Sequence, residues 1–408
     1  MTSSSEREVV PAVGRSSPDA AGLAVDAAPA PATGLRVAVV GMSVGSICGV
    51  RDHAFILASA LEDQRAACTT HWLMRDDLSL QGSRTEIGPW ARGLRAELEE
   101  SRPDVAVLHY SVFSHTYRGV PLFVHPVLAA LKQAGVPVIA FLHEPAYPWR
   151  RGGWRGAAWA LSQRAALIEV IGTARAAMVT ADFQASWLAS RRWLPSRPVM
   201  VTPVFSNLPP PSGSSRPRDG EPAIGIFGYS YESIDRSVVL DALRIIRDGG
   251  VAAHLRLLGA PGRSSESGRQ WLELAGERSV SESLTFSGPL PAQALSDELA
   301  ACDVLLFADS AGPSSRKGSL AAALASGRPV VAIDGHNTWD ELVRAEVVEV
   351  VEPSARALAV GAAALIRDRK AADRQGARGR AFHEQKMGVS VTARAFLALA
   401  SEVGIRSC

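Results

Sequence analysis

From Leu35 onward the chain alternates short, almost wholly apolar runs with longer amphipathic segments. RVAVVG (36–41), PDVAVLHY (103–110), PVIAFLHEP (137–145), AIGIFGYS (223–230), AHLRLLGA (253–260), SLTFSGPL (283–290), VLLFAD (304–309) and VVAI (330–333) read as strands. Strands covered by helices on both faces lose the polar alternation of a half-exposed sheet, which is the pattern of parallel α/β structure. AFILASALED (54–63), ARGLRAELEES (91–101), PLFVHPVLAALKQAG (121–135), SVVLDALRIIRDGG (237–250) and ALSDELAACD (294–303) carry the helical period between them. AAMVTADFQASWLAS (176–190) predicts strand, turn and helix, and VMVTPVFSN (199–207) a strand that closes the first half.

The two runs of α/β pattern are separated by LPPPSGSSRPRDGEP (208–222), a Pro, Ser and Gly-rich stretch of the kind that joins domains. We therefore expect a Rossmann-like first domain over 34–207 and a second over 223–382, with a cleft between them. A C-terminal helix within 383–408 is placed to pack back on the first domain. Residues 1–33 are rich in Ala, Ser and Pro without sustained periodicity, and are expected to be disordered.

The most informative stretch is SAGPSSRKGSLAAALASGRPVVAID (310–334). Gly312 and Pro313 break the preceding apolar run, Ser314 or Ser315 can cap a helix, and Gly327 with Pro329 ends it before the next strand. Arg316, Lys317, Gly318 and Ser319 then stand at the helix entry, where unpaired N–H groups and the positive end of the helix dipole meet two cations and a hydroxyl. That combination can seat a phosphate or diphosphate. It is equally what an ordinary α/β connection with a solvated Arg-Lys pair would contain.

Other candidate chemistry lies at predicted strand ends, where open α/β sheets bind ligands. Glycines 41, 45 and 49 follow the first strand and permit a tight turn and close ligand approach, although their spacing is not the GxGxxG of a dinucleotide site. Asp52 and His53 fall in the first turn of the following helix, as caps, surface groups or contacts to an acceptor. His109 and His143 come at the ends of two strands, and Glu144 and Pro145 force the chain out into a loop after His143. The segment 147–171 interleaves Trp149, Trp154 and Trp159 with Arg150, Arg151, Arg155 and Arg164, either as a helix with buried tryptophans or as a surface for a membrane or an anionic acceptor.

Composition narrows this further. The 408 residues, 47% of them hydrophobic, supply material for two cores. A formal net charge of +2 gives no nucleic-acid field. Cys48, Cys68, Cys302 and Cys408 are too scattered for a zinc site or a disulfide framework. No apolar run approaches the roughly 18 residues of a membrane span, and the N-terminus lacks a basic start followed by an apolar core. A soluble, cytoplasmic protein is expected.

Taken together, the first strand with its CGVRDH loop, the strand-end HEP, the linker, the Gly228 loop and SLAAALASGRPVVAID resemble the GT-B nucleotide-sugar glycosyltransferases. The resemblance is to the large retaining group that includes sucrose, trehalose, mannosyl and mycothiol-type enzymes, and it covers the chain from Leu35 onward. It implies an α/β fold of two Rossmann-like domains. It also implies donor phosphate contacts at Arg316, Lys317, Gly318, Ser319 and Leu320, a nucleobase near Leu290, Gly45 and Gly49 on the facing loop, and His143 near the donor sugar.

The chain departs from that family at four places. Two glutamates common before and within the second-domain helix fall here on Ser314 and Ala322, and the usual Arg and Lys after the Gly228 loop appear as Tyr229 and, with shifted spacing, Arg236. Arg316 and Lys317 offer compensating charge for a departing diphosphate. The resemblance implies sugar transfer from a UDP or GDP donor to a small metabolite or saccharide with retention; no DxD triplet occurs and the basic loop can neutralise a diphosphate, so no metal or other cofactor is expected. A nucleotide-sugar epimerase, with Glu144 and Asp52 as acid and base, and a catalytically silent sugar-nucleotide-binding protein stay open as alternatives.

Overall fold

The computed structural model of the chain describes residues 34–44, 48–115, 120–146, 153–213, 220–228, 233–259 and 262–406. The tail 1–33, Gly45, Tyr229 and part of the Trp/Arg segment lie outside them.

The apolar runs become strands β1 (Arg36–Val44), β2 (Ala67–Arg75), β3 (Val105–Ser111), β4 (Val138–Glu144), β5 (Ala176–Val179) and β6 (Val199–Val201) of a first parallel sheet, ordered β2-β1-β3-β4-β5-β6. Beyond the linker, β7 (Ala223–Phe227), β8 (His254–Leu258), β9 (Leu284–Gly288), β10 (Val304–Phe307), β11 (Val330–Ile333) and β12 (Glu349–Val351) form a second, ordered β12-β11-β10-β7-β8-β9. Every pairing in both sheets is parallel. Chain direction across each sheet reverses once, beside β1 in the first and beside β7 in the second. Loops diverge at such points and leave a crevice outside the strand ends.

Alternation along the strands sends side chains to two cores per sheet. In the first sheet Val40, Leu108 and Leu142 face helices Gly88–Ser101, His125–Gln133 and Gly153–Thr173. Val37, Val39, Val107 and Phe141 face the other way, onto helices Gly49–Asp63 and Val389–Glu402. The second sheet repeats the arrangement. Ile224, Leu255, Leu306 and Val331 pack on one face, and Leu305, Phe307, Val330 and Ala332 on the other.

Two strands, β2 and β12, were not evident in the pattern. Both are edge strands, paired on one side only. In β2, ACTTHWLMR, exposed and buried positions mix without a clean period. Trp72 of this strand also explains Gly41. That glycine is inside β1, and a Cβ there would collide with the Trp72 ring, so it makes room for packing and not for a ligand.

The chain's end ties the halves together. Helix Arg369–Phe382 packs on helix Gly318–Ala325 of the second sheet, whereas Val389–Glu402 lies against Gly49–Asp63 of the first. Phe396 is wholly buried there with Leu57, Leu61 and Val39. Phe396→Ala should therefore cost about 3–5 kcal/mol, the usual range for a core phenylalanine. Denaturant unfolding checks this, and a loss below 1 kcal/mol would show that the helix is not integral to the first core.

Candidate active site

At the second sheet's reversal point β7 and β10 separate, and a cavity of about 150 Å³ opens outside their carboxyl ends. Gly228, Ser233, Phe307, Asp309, Lys317 and Ser319 line it. Helix Gly318–Ala325 begins at its edge with Lys317 as N-cap and no side-chain cap bond. The first N–H groups of a helix have no partner within it, so this terminus aims donors and a positive dipole end at the cavity.

Lys317 does not stand free. Its Nζ donates to Asp309 Oδ2 at 2.5 Å. Ser233 Oγ donates to the same oxygen at 2.7 Å, and the Ala311 N–H to Oδ1 at 2.9 Å. Burial pushes the Asp309 carboxyl up, but the bonds from Lys317, Ser233 and Ala311 outweigh it and leave the group below the ordinary aspartate value. Asp309 is thus an anion whose shell fixes the lysine in place. Sequence reading took it as the end of an apolar run; the signal was an acidic residue at a strand's carboxyl end, eight positions before a lysine.

The loop before the helix differs from expectation. Neither Ser314 nor Ser315 caps the helix: the N-cap position falls on Lys317, and both serines are buried in the loop before it. Ser315 Oγ instead donates to the Thr180 carbonyl after β5 at 2.8 Å, and the Val204 N–H donates to the Ser315 carbonyl at 2.8 Å. This second-lobe loop is therefore stitched to the first lobe. Arg316 also turns that way, 3.5 Å from Glu144 Oε1 at the end of β4. It is not among the groups lining the small cavity.

On the first-lobe side, His143 Nε2 lies 3.0 Å from His109 Nδ1 on the neighbouring strand. Burial lowers the His143 imidazole to about 3, so the ring is neutral at physiological pH. Burial, with the adjacent imidazoles, also holds His53 and His109 well below the ordinary histidine value. The position of His53 is a correction. It was placed on the exposed first turn, but the helix turns it inward, 2% exposed and stacked on Phe205 at 4.0 Å, where it cannot meet an acceptor directly.

The other candidates scatter around this pair of surfaces. Asp52 pairs with Arg51 at 3.5 Å, and Gly49 opens its helix with a carbonyl accepting from Asn207 Nδ2. Glu144 accepts from Ser111 Oγ at 3.4 Å as well as facing Arg316. Gly318 opens the helix, and the Leu320 side chain is wholly buried in the core beneath, so only its backbone can serve a ligand. Leu290 lines a separate cavity of about 900 Å³ beside β8 and β9. Arg236 is not among the residues that line the Lys317 cavity. It heads helix Arg236–Asp248 with Nη2 on Ser267 Oγ at 3.2 Å.

Residues 221–368 match the family model described as Glycosyl transferases group 1. No curated protein matches the chain. Among solved structures, HepE of Anabaena in complex with UDP and glucose is similar with a TM-score of 0.65 at 16% identity, over 90% of this chain and 100% of that one. Sucrose-phosphate synthase from Thermosynechococcus elongatus gives 0.65 at 15% identity, covering 90% and 99%. A glycosyltransferase from Rickettsia africae gives 0.67 at 12% identity, covering 92% and 100%. With a parallel six-stranded sheet on each side of the linker and the group 1 match across the second, this chain has the GT-B fold of the nucleotide-sugar glycosyltransferases that its sequence resembles.

Proposed function

We propose that this protein transfers a sugar from a UDP- or GDP-sugar to a small metabolite or saccharide acceptor with retention of anomeric configuration. The observation that carries the reading is the cavity at the β7/β10 reversal point, faced by a helix N-terminus and by Lys317 held on Asp309. A diphosphate seated there takes the open N–H groups of Gly318 and Ser319 together with the lysine, so charge that builds up as the sugar departs meets donors already in place. Arg316, between that loop and Glu144, is positioned to add a second cation at the mouth. The acceptor approaches from the first lobe past the half-buried, neutral His143. In front-face retention the donor phosphate itself helps remove the acceptor proton, and no side-chain nucleophile is required. In this reading the lysine, the helix N-terminus and Arg316 drawn in from Glu144 together take the role that a metal would otherwise have at the diphosphate.

Thermal shift with UDP, GDP and their sugars tests donor binding: a ligand at about 100 times its dissociation constant adds about 2.7 kcal/mol. Incubating a bound nucleotide sugar without acceptor separates transfer from epimerisation, since only an epimerase converts it alone. Lys317→Ala and Arg316→Ala should each lower donor affinity or turnover more than tenfold, the loss of a charge-assisted bond worth about 1.5–3 kcal/mol; unaltered kinetics in both would remove the phosphate assignment. His143→Ala should impair transfer more than nucleotide binding, and an equal loss of nucleoside diphosphate affinity would mark the ring as structural.

Asp309→Asn supplies a test in stability. The folded carboxyl titrates below its unfolded value, so its contribution is complete above about pH 4 and is lost as pH falls through the folded value. The variant should be less stable than wild type at pH 7, by about 1–3 kcal/mol, with the gap closing in strong acid. A gap unchanged at pH 3 would show that the negative charge is not what matters.

A further inference from the structure

His53, His109 and His143 come from three elements, helix Gly49–Asp63, β3 and β4, and converge beneath the cleft. One ring nitrogen of each lies within 4.8 Å of the other two. Among the described residues this is the one group of three or more potential metal ligands gathered so closely. Their surroundings are aromatic: Phe205 stacks on His53, and Phe141 on His109 with ring centroids 5.3 Å apart. Phenylalanine would fill such a layer without burying polar atoms, yet three imidazoles occupy it.

Their hydrogen bonding makes the choice more pointed. Both nitrogens of His53 and Nε2 of His109 are buried without a partner, and the single bond inside the group joins His109 Nδ1 to His143 Nε2. Buried polar groups are nearly always satisfied, and unsatisfied ones point to an unseen ion, water or functional role. Protonating one ring would bury a positive charge in this aromatic layer, where among the described residues no carboxylate is bonded to any of the three.

We propose that these three histidines bind one divalent transition-metal ion of the zinc class. Imidazole nitrogen suits Zn, Cu, Ni and Fe, whereas Mg²⁺ and Ca²⁺ require oxygen ligands that this pocket lacks. Nitrogens on a tetrahedral zinc at about 2.0–2.1 Å sit no more than about 3.4 Å apart, so a pair spread to the 4.8 Å limit of this group must close by about 1.4 Å. The 3.0 Å separation of His109 and His143 already meets that limit. Each ring stays neutral and carries its proton on the nitrogen turned away from the ion. His143 is only half-buried, which leaves the cleft side for a water or hydroxide as fourth ligand. The ion would pin helix Gly49–Asp63 to the sheet on the first-lobe side, apart from the Lys317 cavity, and the inference does not depend on the proposed sugar transfer.

The test uses the full chain, stripped with chelator and titrated with Zn²⁺ against a chromophoric competitor, and with Co²⁺ by absorption spectroscopy. We expect one equivalent bound, intense visible cobalt bands of a four-coordinate nitrogen site, and a raised melting temperature. His53→Phe and His109→Phe should each weaken binding at least tenfold while melting cooperatively without metal. Binding that survives unchanged in both variants would place the ion elsewhere, and a wild-type chain with neither stoichiometric zinc nor four-coordinate cobalt bands would overturn the site without reference to any variant's folding.

Discussion

The loop from Asp309 to Lys317 is gripped from two directions, and the geometry of the site follows from that. Asp309, at the end of β10, takes Lys317, Ser233 and the Ala311 N–H into one carboxylate. Six residues on, Ser315 is bonded to the Thr180 carbonyl and to the Val204 N–H of the first lobe. The Ser315 hydroxyl bond is buried, and breaking one partner of a buried bond costs more than the bond itself contributes, because the other is left unsatisfied. The loop is therefore not a flexible strap between a strand and a helix. It is a fixed part that both lobes share.

A carboxylate beside the lysine of an anion site looks at first like a handicap, since it cancels charge. Its value is in order: Lys317 is about one-quarter exposed and Asp309 almost wholly covered, so the lysine is held by a partner that water does not reach. In the proposed donor site an incoming diphosphate would meet an ammonium already oriented, and side-chain entropy need not be lost on binding. The cost in net charge is recovered from the helix terminus, whose N–H groups carry no counterion.

Much of this architecture was legible in the chain because parallel sheets make it so. Strands buried on both faces read as apolar runs, and the order of runs and helices gave two Rossmann-like halves with the basic loop between β10 and β11. Edge strands escaped: β2 is half solvated and mixes Thr, His and Trp without a period. Side-chain direction escaped too. Nothing local tells that His53 turns inward to stack on Phe205, a residue about 150 positions away, or that Ser315 leaves its own helix to bond Thr180. Local rules read the serine as a cap, but the helix begins only at Gly318 behind Lys317, and the serine bonds across to the first lobe.

The strengths of the cross-lobe contacts are graded, and the gradient says how the cleft can work. At its base the Ser315 bonds are buried or nearly so, and at its mouth Arg316 and Glu144 face each other at 3.5 Å with about a third of each side chain in water. An exposed pair of that kind contributes at most about 1 kcal/mol and is screened by salt. Opening the mouth thus costs little, whereas separating the base would strand hydrogen-bonding groups. The Arg316–Glu144 contact is therefore the weaker of the two ties between the lobes at this loop. In the proposed transfer, a diphosphate that drew Arg316 toward the Lys317 cavity would break that weaker tie and free Glu144 for an incoming hydroxyl, and donor entry and acceptor access would then be linked through one guanidinium.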